Sequence, residues 1–160
     1  MGIKAALNDV LVKLFRNINT IEEQAIRSGG FKDMTTNDMH VIEAIGLGEP
    51  KNMTSVAKML MVTTGTLTIS VNSLVKKGFV ERVRSEEDRR VVLVSLTEKG
   101  RKAFRDHQQF HEEMVSSIIR SLTEEEQVIL QKSLGNLSEF FRARALASDA
   151  KSEGPQSKKN

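Results

Sequence analysis

The fold of this chain is decided by residues 64–100, which read TGTLTISVNSLVKKGFVERVRSEEDRRVVLVSLTEKG. Apolar residues recur at helical spacing between Leu67 and Leu74, and Gly78 follows as a residue type that commonly ends helices. This pattern predicts a helix over residues 64–77, with one apolar face and one polar face.

Two strand-like segments follow that helix, at residues 79–84 and 91–96, and β-branched residues are frequent in the second. The residues between them, 85–90, are all polar and mostly charged. This connection is too long for a tight turn and is typical of a protruding hairpin loop. We therefore predict a small β-hairpin wing after the helix.

A short helix and a brief connection precede the helix over residues 64–77. The short helix covers residues 54–60, with Thr54 as its expected N-cap, and residues 61–63 form the connection. Two helices joined this closely form a helix-turn-helix, whose second helix enters the major groove of DNA. Residues 35–97 are therefore predicted to be a winged helix-turn-helix.

Further helices flank this region. Apolar residues from Ile3 to Ile21 follow one helical stripe, and Thr35 with Asp38 forms a capping box that begins a second helix. After the hairpin, Thr97 is expected to cap a long helix, and a Thr-Glu-Glu-Glu capping box at residues 123–126 begins the last helix. The predicted fold class is mainly α with a small β-hairpin wing and about six helices.

The bulk composition limits the possible functions. The chain has 160 residues, 39% of them hydrophobic and 28% charged, with a net charge of +3, which is ordinary for a globular domain. Without cysteine it can form neither a disulfide nor a thiolate metal site. No membrane-length apolar run, secretory signal or catalytic motif is visible, so we expect a cytoplasmic protein that does not contact a membrane and is not an enzyme.

The polar helix face and the wing arginines form the predicted DNA-binding surface. Thr and Asn side chains can hydrogen-bond base edges or phosphates, and Ile69 can contact a thymine methyl group. Helix N-termini attract phosphate, and an arginine at a wing tip can enter the minor groove. The same patterns also fit a solvated helix face, a plain charged hairpin or a winged-helix adaptor that binds only proteins. The predicted DNA-binding residues are Thr63, Thr64, Gly65, Thr66, Thr68, Ile69, Asn72, Lys76, Arg82, Arg84, Asp88, Arg89 and Arg90.

Two segments carry a family resemblance. LVKKGFVER at residues 74–82 and DRRVVLVSLTEKG at residues 88–100 closely resemble the MarR family of bacterial transcriptional regulators, and the resemblance extends to about Ala147. It implies a homodimer that binds a pseudo-palindromic DNA duplex, with Arg90 as the minor-groove residue, Asp88 as its organiser and Arg89 as the alternative.

The resemblance also implies a domain organisation. Residues 1–30 and 98–147 would form a helical dimerisation layer, and the apolar stripes at Ile3–Ile21 and Leu130–Phe141 agree with this because such stripes favour a symmetric second copy. Residues 148–160 are polar and are expected to be a disordered tail.

A narrower resemblance points to one subgroup of the family. That subgroup represses fatty-acid-synthesis genes, with acyl chains on acyl carrier protein as corepressor. Ile69 and Ser70 depart from the wider family, which mostly has a basic residue and a large aliphatic residue there. A regulator released from DNA by a small aromatic or phenolic ligand is the alternative. The segments that carry the narrower resemblance are residues 21–23, 31–33, 39–40, 43–46 and 62–68.

An acyl chain requires a narrow apolar channel, and methionine suits variable chain length. The same residues can also be ordinary core residues. The candidate ligand-pocket residues are Phe15, Ile18, Met39, His40, Ile42, Phe104, His107, Phe110 and Met114.

Histidines raise the question of a metal. His107 and His111 are four apart on one predicted helix, a spacing that two metal ligands can use. No third ligand is evident along the sequence, so we predict no metal site and place these histidines at a dimer or pocket edge. No cofactor is predicted apart from an acyl chain delivered by acyl carrier protein.

Overall fold

The computed structural model describes the backbone of residues 2–152 and the side chains of residues 2–145. The predicted fold class is confirmed, because six helices and three short strands make up this part of the chain. Among the described residues, no helix combines the length and apolar character needed to cross a membrane. The elements in chain order are α1 Ile3–Ser28, α2 Thr36–Ile45, β1 Lys51–Asn52, α3 Met53–Leu60, α4 Thr64–Lys76, β2 Val80–Arg84, β3 Val92–Leu96, α5 Glu98–Arg120 and α6 Glu124–Ser152.

The chain divides into two compact units, one up to Glu112 and one from Glu113 onwards, so that α5 contributes to both. The first unit holds one hydrophobic core, to which α2, α3, α4 and the sheet contribute. Phe31 and Phe79 meet edge to face in it, with ring centroids 5.7 Å apart. The largest fully buried side chains are Phe79, Met39, Ile42, Ile45, Leu67, Leu74, Leu96, Val56, Val71, Val80 and Val94.

The wing belongs to a three-stranded antiparallel sheet with the order β1-β3-β2. Val80 pairs with Leu96 at the base of the hairpin, and Arg84 pairs with Val92 near its tip. The short strand β1, at Lys51–Asn52, covers the other edge of β3 and was not predicted. Two residues are too few to show a periodic pattern. This strand exists because it pairs with β3, a segment far along the chain.

The predicted capping residues are mostly confirmed. Thr35 and Asp38 form a reciprocal capping box on α2, and Thr123 and Glu126 form another at the start of α6. The prediction for α3 is wrong: the cap is Asn52, whose side chain accepts from the Ser55 N–H, and the helix already includes Thr54. An asparagine is an equally good cap, and pairing of Asn52 in β1 places it one step ahead of the helix.

The last helix is longer than predicted. It extends to Ser152, whereas the sequence placed the start of a polar tail at Ser148. Residues 153–160 of that predicted tail lie outside the described residues.

Asp38 connects the start of α2 with the end of α4. Its Oδ2 atom accepts from the Thr35 N–H at 3.0 Å and from the Lys77 ammonium at 2.8 Å. The carboxylate is buried, whereas the lysine side chain is about a quarter exposed. A buried carboxylate with two charge-strengthened partners holds both elements in place.

We expect Asp38→Ala to lower the free energy of unfolding by about 2 kcal/mol or more, because it removes a helix cap and leaves the Lys77 charge without its partner. Urea unfolding followed by circular dichroism measures this change. Asp33→Ala is the matched control, since Asp33 is exposed, and we expect it to change stability by less than about 0.5 kcal/mol. Equal stability of the two variants would contradict the role given to Asp38.

Candidate nucleic-acid interface

The helix-turn-helix is formed by α3 and α4, joined by the predicted short connection. Met61 adopts a left-handed conformation with φ of 54°, and the Val62 N–H bonds to the Ala57 carbonyl at 3.0 Å. The left-handed residue and this hydrogen bond end α3, and α4 begins three residues after Met61. Leu67, Val71 and Leu74 are buried as predicted, which fixes the opposite face of α4 toward solvent.

Threonines organise the exposed start of α4. Thr63 caps the helix by accepting from the Thr66 N–H at 3.1 Å, and the two hydroxyls lie 2.9 Å apart. Thr68 donates to the Thr64 carbonyl at 2.7 Å, so its oxygen remains oriented on the helix surface as an acceptor. Ile69 is 73% exposed on the same helix. The face therefore presents short hydroxyls around one large apolar side chain.

The wing is connected to α4 by one polar contact. Arg82 on β2 donates to the Asn72 side-chain oxygen on α4. Side chains alternate across a strand, so Arg84 shares the face of β2 that carries Arg82, while Glu81 lies on the other face. Glu81 accepts a hydrogen bond from Ser95 at 3.2 Å. Arg82 and Arg84 are thus directed to the side of α4, whereas Glu81 is not.

The wing tip is organised by Asp88. Its Oδ1 atom accepts from the backbone N–H of Arg90 at 3.0 Å and from the guanidinium Nε at 3.3 Å. The Arg84 guanidinium donates to the Arg89 carbonyl at 3.4 Å, which links the strand to the loop. The Arg90 side chain is 93% exposed despite its ion pair. The loop therefore presents a guanidinium that is restrained at its base and free at its end.

All the predicted DNA-binding residues lie exposed in the first unit, on the N-terminal cap and outer face of α4 or on the wing. Their placement on one helix and its hairpin follows the prediction, and their roles toward DNA stay predictions. The Asn72–Arg82 contact was not foreseen, because a hydrogen bond between a helix and a later strand leaves no local pattern.

The candidate ligand-pocket residues do not all line one cavity. Met39, His107 and Phe110 line a small cavity between α1, α2 and α5, with a volume of about 30 Å³. Ile42 is fully buried in the core, and Phe15 is exposed. The remaining candidates are not among the lining residues of that cavity: Ile18, His40 and Phe104 lie elsewhere in the first unit, and Met114 belongs to the second unit.

A cluster of acids and histidines lies at the same helix junction. The Nε2 atoms of His107 and His111 are 3.0 Å apart, and the Nε2 atom of His111 lies 3.1 Å from the Glu22 carboxylate on α1. The Nε2 atom of His107 also lies 3.3 Å from the Glu43 carboxylate on α2. Glu22 and Glu43 were not predicted as partners of these histidines, because they come from helices far apart along the chain.

Burial shifts the pKa values of two of these side chains, His107 and Glu43. It lowers the pKa of His107 to about 4, helped by the charges of His111 and His40. Burial also raises the pKa of Glu43, which the same two histidines oppose. His107 is therefore a neutral imidazole at neutral pH.

Sequence comparisons identify relatives among transcriptional regulators. Residues 31–107 match the family model described as transcriptional regulator SarA/Rot. The uncharacterized HTH-type transcriptional regulator YhjH of Bacillus subtilis (strain 168) is 28% identical over 138 residues, which cover 84% of this chain and 73% of that protein.

Solved structures agree with these relatives. The crystal structure of Streptococcus pneumoniae FabT in complex with DNA is 44% identical, covers 88% of this chain and 98% of the FabT chain, and has a TM-score of 0.84. The MarR family transcription regulator SP03579 shares the fold, with 17% identity, a TM-score of 0.75, and coverage of 88% of this chain and 91% of its own. With its recognition helix and wing in place, the chain belongs to the MarR family of winged-helix, DNA-binding transcriptional regulators.

Proposed function

We propose that this protein is a homodimeric repressor of fatty-acid-biosynthesis genes that binds a pseudo-palindromic operator, and that long-chain acyl-acyl carrier protein enhances its DNA binding. The observation that carries the proposal is the 44% identity with FabT over nearly the whole FabT chain, found in a structure that contains DNA. The subgroup-like segments, among them residues 62–68 at the start of α4, support the same assignment.

In this proposal α4 reads the major groove. Its exposed hydroxyls at Thr64, Thr66 and Thr68 are short acceptors and donors for base edges and phosphates. Ile69 contacts a thymine methyl group, because its side chain projects from the helix among those hydroxyls. An isoleucine at this position contributes to sequence specificity through apolar contact with a base. A basic residue would instead add affinity for phosphate without sequence preference.

In the proposed complex the wing lies along the DNA backbone, and its tip enters the minor groove. The guanidinium of Arg90 is weakly hydrated, and a narrow minor groove has a negative potential that attracts it. Because Asp88 already holds the base of this side chain, less rotamer entropy is lost on binding than for a free arginine.

A second copy of the chain covers the apolar side chains of the terminal helices. On α1, Ile3 is 85% exposed and Phe15 is 60% exposed, and on α6 Val128 is 64% exposed. Burying one such side chain completely contributes about 1.5–3 kcal/mol, so several of them in a symmetric contact favour a stable dimer. Two recognition helices then face successive turns of the duplex.

The acyl chain enters at the junction of α1, α2 and α5. The cavity there is lined mainly by apolar side chains, including Met39 and Phe110. Its volume of about 30 Å³ is far below the roughly 300–1,000 Å³ of typical ligand sites, so the cavity has to widen considerably to hold a long chain. Met39 and the half-buried Phe110 are the side chains whose rotation opens it.

Fluorescence anisotropy tests this function. A labelled inverted-repeat duplex from the region upstream of fatty-acid-biosynthesis genes in the source genome is titrated with the protein alone, with acyl carrier protein, or with its long-chain acylated form. We expect the acylated carrier to tighten binding about tenfold and the free carrier to leave it unchanged, at one fixed salt concentration.

Two controls separate specific binding and effector class. A scrambled duplex of the same length is expected to bind much more weakly, and equal binding of both duplexes would contradict operator reading. Equal affinity across acyl lengths would contradict the acyl proposal, and release from DNA by a phenolic ligand would replace it with the alternative described above.

A further inference from the structure

Three metal-ligating atoms meet in the first unit, away from the DNA-facing surface of α4 and the wing. They are one carboxylate oxygen of Glu22 and one nitrogen each of His107 and His111, and all lie within 4.8 Å of one another. Two helices supply them, α1 and α5, and the i and i+4 spacing of the histidines places both imidazoles on one side of α5.

The spacing of these atoms approaches that of a tetrahedral metal site. Bonds of about 2.0–2.2 Å from Zn²⁺ to nitrogen and oxygen place neighbouring ligand atoms roughly 3.3–3.5 Å apart. The Nε2 atoms of His107 and His111 are 3.0 Å apart, and the Nε2 atom of His111 is 3.1 Å from Glu22. These two distances are a few tenths of an ångström shorter than the tetrahedral separation, so the side chains have to move apart slightly to admit an ion.

Burial adds a reason for a cation at this point. Glu22 is 5% exposed, and a carboxylate taken out of water is costly unless a cation or several donors compensate it. The His107 side chain is also buried, and its Nδ1 atom has no hydrogen-bond partner among the described residues. The Nε2 side of that ring is therefore where its polar contacts are made.

We propose that Glu22, His107 and His111 bind a divalent transition-metal ion, with Zn²⁺ preferred. Imidazole and carboxylate ligands suit zinc, whereas Mg²⁺ and Ca²⁺ favour sites made of oxygen alone. The Glu43 carboxylate lies 3.3 Å from the same His107 nitrogen and is available as a fourth ligand. The bound ion links α1 to α5 beside the cavity, which His107 also lines.

Metal binding by the full-length, untagged chain tests this proposal. The protein is stripped with a chelator and titrated with Co²⁺, whose visible absorption is intense only in tetrahedral coordination, and Zn²⁺ or Mg²⁺ is then added as a competitor. We expect one Co²⁺ per chain, displaced by Zn²⁺ and not by Mg²⁺. The variants are Glu22→Gln and His111→Gln, and Glu23→Gln is the matched control because Glu23 is the exposed neighbour on the same helix.

Both site variants are expected to weaken Co²⁺ and Zn²⁺ binding at least about tenfold, and the control to bind like the unchanged chain. Circular dichroism of each variant verifies that it is folded. Absence of stoichiometric binding, or equal affinity of the control and both site variants, would overturn the proposal. The 3.0 Å contact between His107 and His111 would then be a hydrogen bond between the two imidazole rings. The assay contains neither DNA nor acyl carrier protein, so its outcome is independent of the proposed function.

Discussion

Gly100→Ala is expected to destabilise the folded chain by about 3 kcal/mol, because a methyl group at this position meets backbone and not a flexible side chain. A Cβ atom built on Gly100 would lie 2.1 Å from the Phe79 carbonyl oxygen and 3.3 Å from the Leu96 Cβ atom. The same carbonyl accepts from the Thr97 N–H at 3.1 Å. The first turn of α5 and the start of the wing have to separate to admit the methyl group.

Urea unfolding measures this loss, with Gly135→Ala as the matched control. Gly135 is inside α6, and a Cβ atom built there meets nothing within 4 Å. Alanine is the better helix former, so we expect the control to gain up to about 1 kcal/mol. Unchanged stability of Gly100→Ala would show that α5 does not start against the Phe79 carbonyl.

Arg90→Ala is expected to weaken operator binding roughly 100-fold at physiological salt, since a dimer loses two minor-groove contacts of about 1–1.5 kcal/mol each. It is also expected to lower the slope of log affinity against log salt by about two, because two fewer counterions are released. Anisotropy titrations at several salt concentrations measure both quantities. Asp88→Ala is expected to lose less, because the guanidinium remains and only its restraint by the carboxylate is removed.

Arg105→Ala controls for the loss of a positive charge. Arg105 is exposed on α5, outside the helix-turn-helix and the wing, and its removal is expected to leave operator affinity nearly unchanged. Sedimentation is expected to show dimers for both variants. Operator affinity that is identical in Arg90→Ala and the unchanged protein would exclude the wing tip from the DNA contact.

Local patterns explain why much of the fold was predictable. The spacing of Leu67, Val71 and Leu74 sets the inward face of α4, and Gly78, with φ of 79°, follows that helix in a backbone conformation that favours glycine. The capping boxes at Thr35 and Thr123 are also signals within a few residues of sequence. The wing resembled a known family closely enough to indicate which arginines it presents.

The unpredicted features depend on contacts between distant segments. The strand β1 exists because Lys51 pairs with Val94, and the cap at Asn52 follows from that pairing. The spacing of His107 and His111 suggested two metal ligands, but Glu22 as a third is visible only when α1 packs beside α5. The candidate pocket was broader than the cavity, since helical spacing does not separate an exposed Phe15 from a buried Ile42.

Asp38 connects two parts of the molecule to which the proposed function assigns different tasks, DNA reading by α4 and acyl-chain binding in the cavity. Asp38 holds the first turn of α2 through Thr35 and the C-terminal end of α4 through Lys77, while its neighbour Met39 lines the cavity. A tilt of α2 that makes room beside Met39 therefore either breaks these hydrogen bonds or moves α4 together with α2. Because adjacent base pairs are only about 3.4 Å apart, a modest tilt is enough to shift the register in which α4 meets the bases.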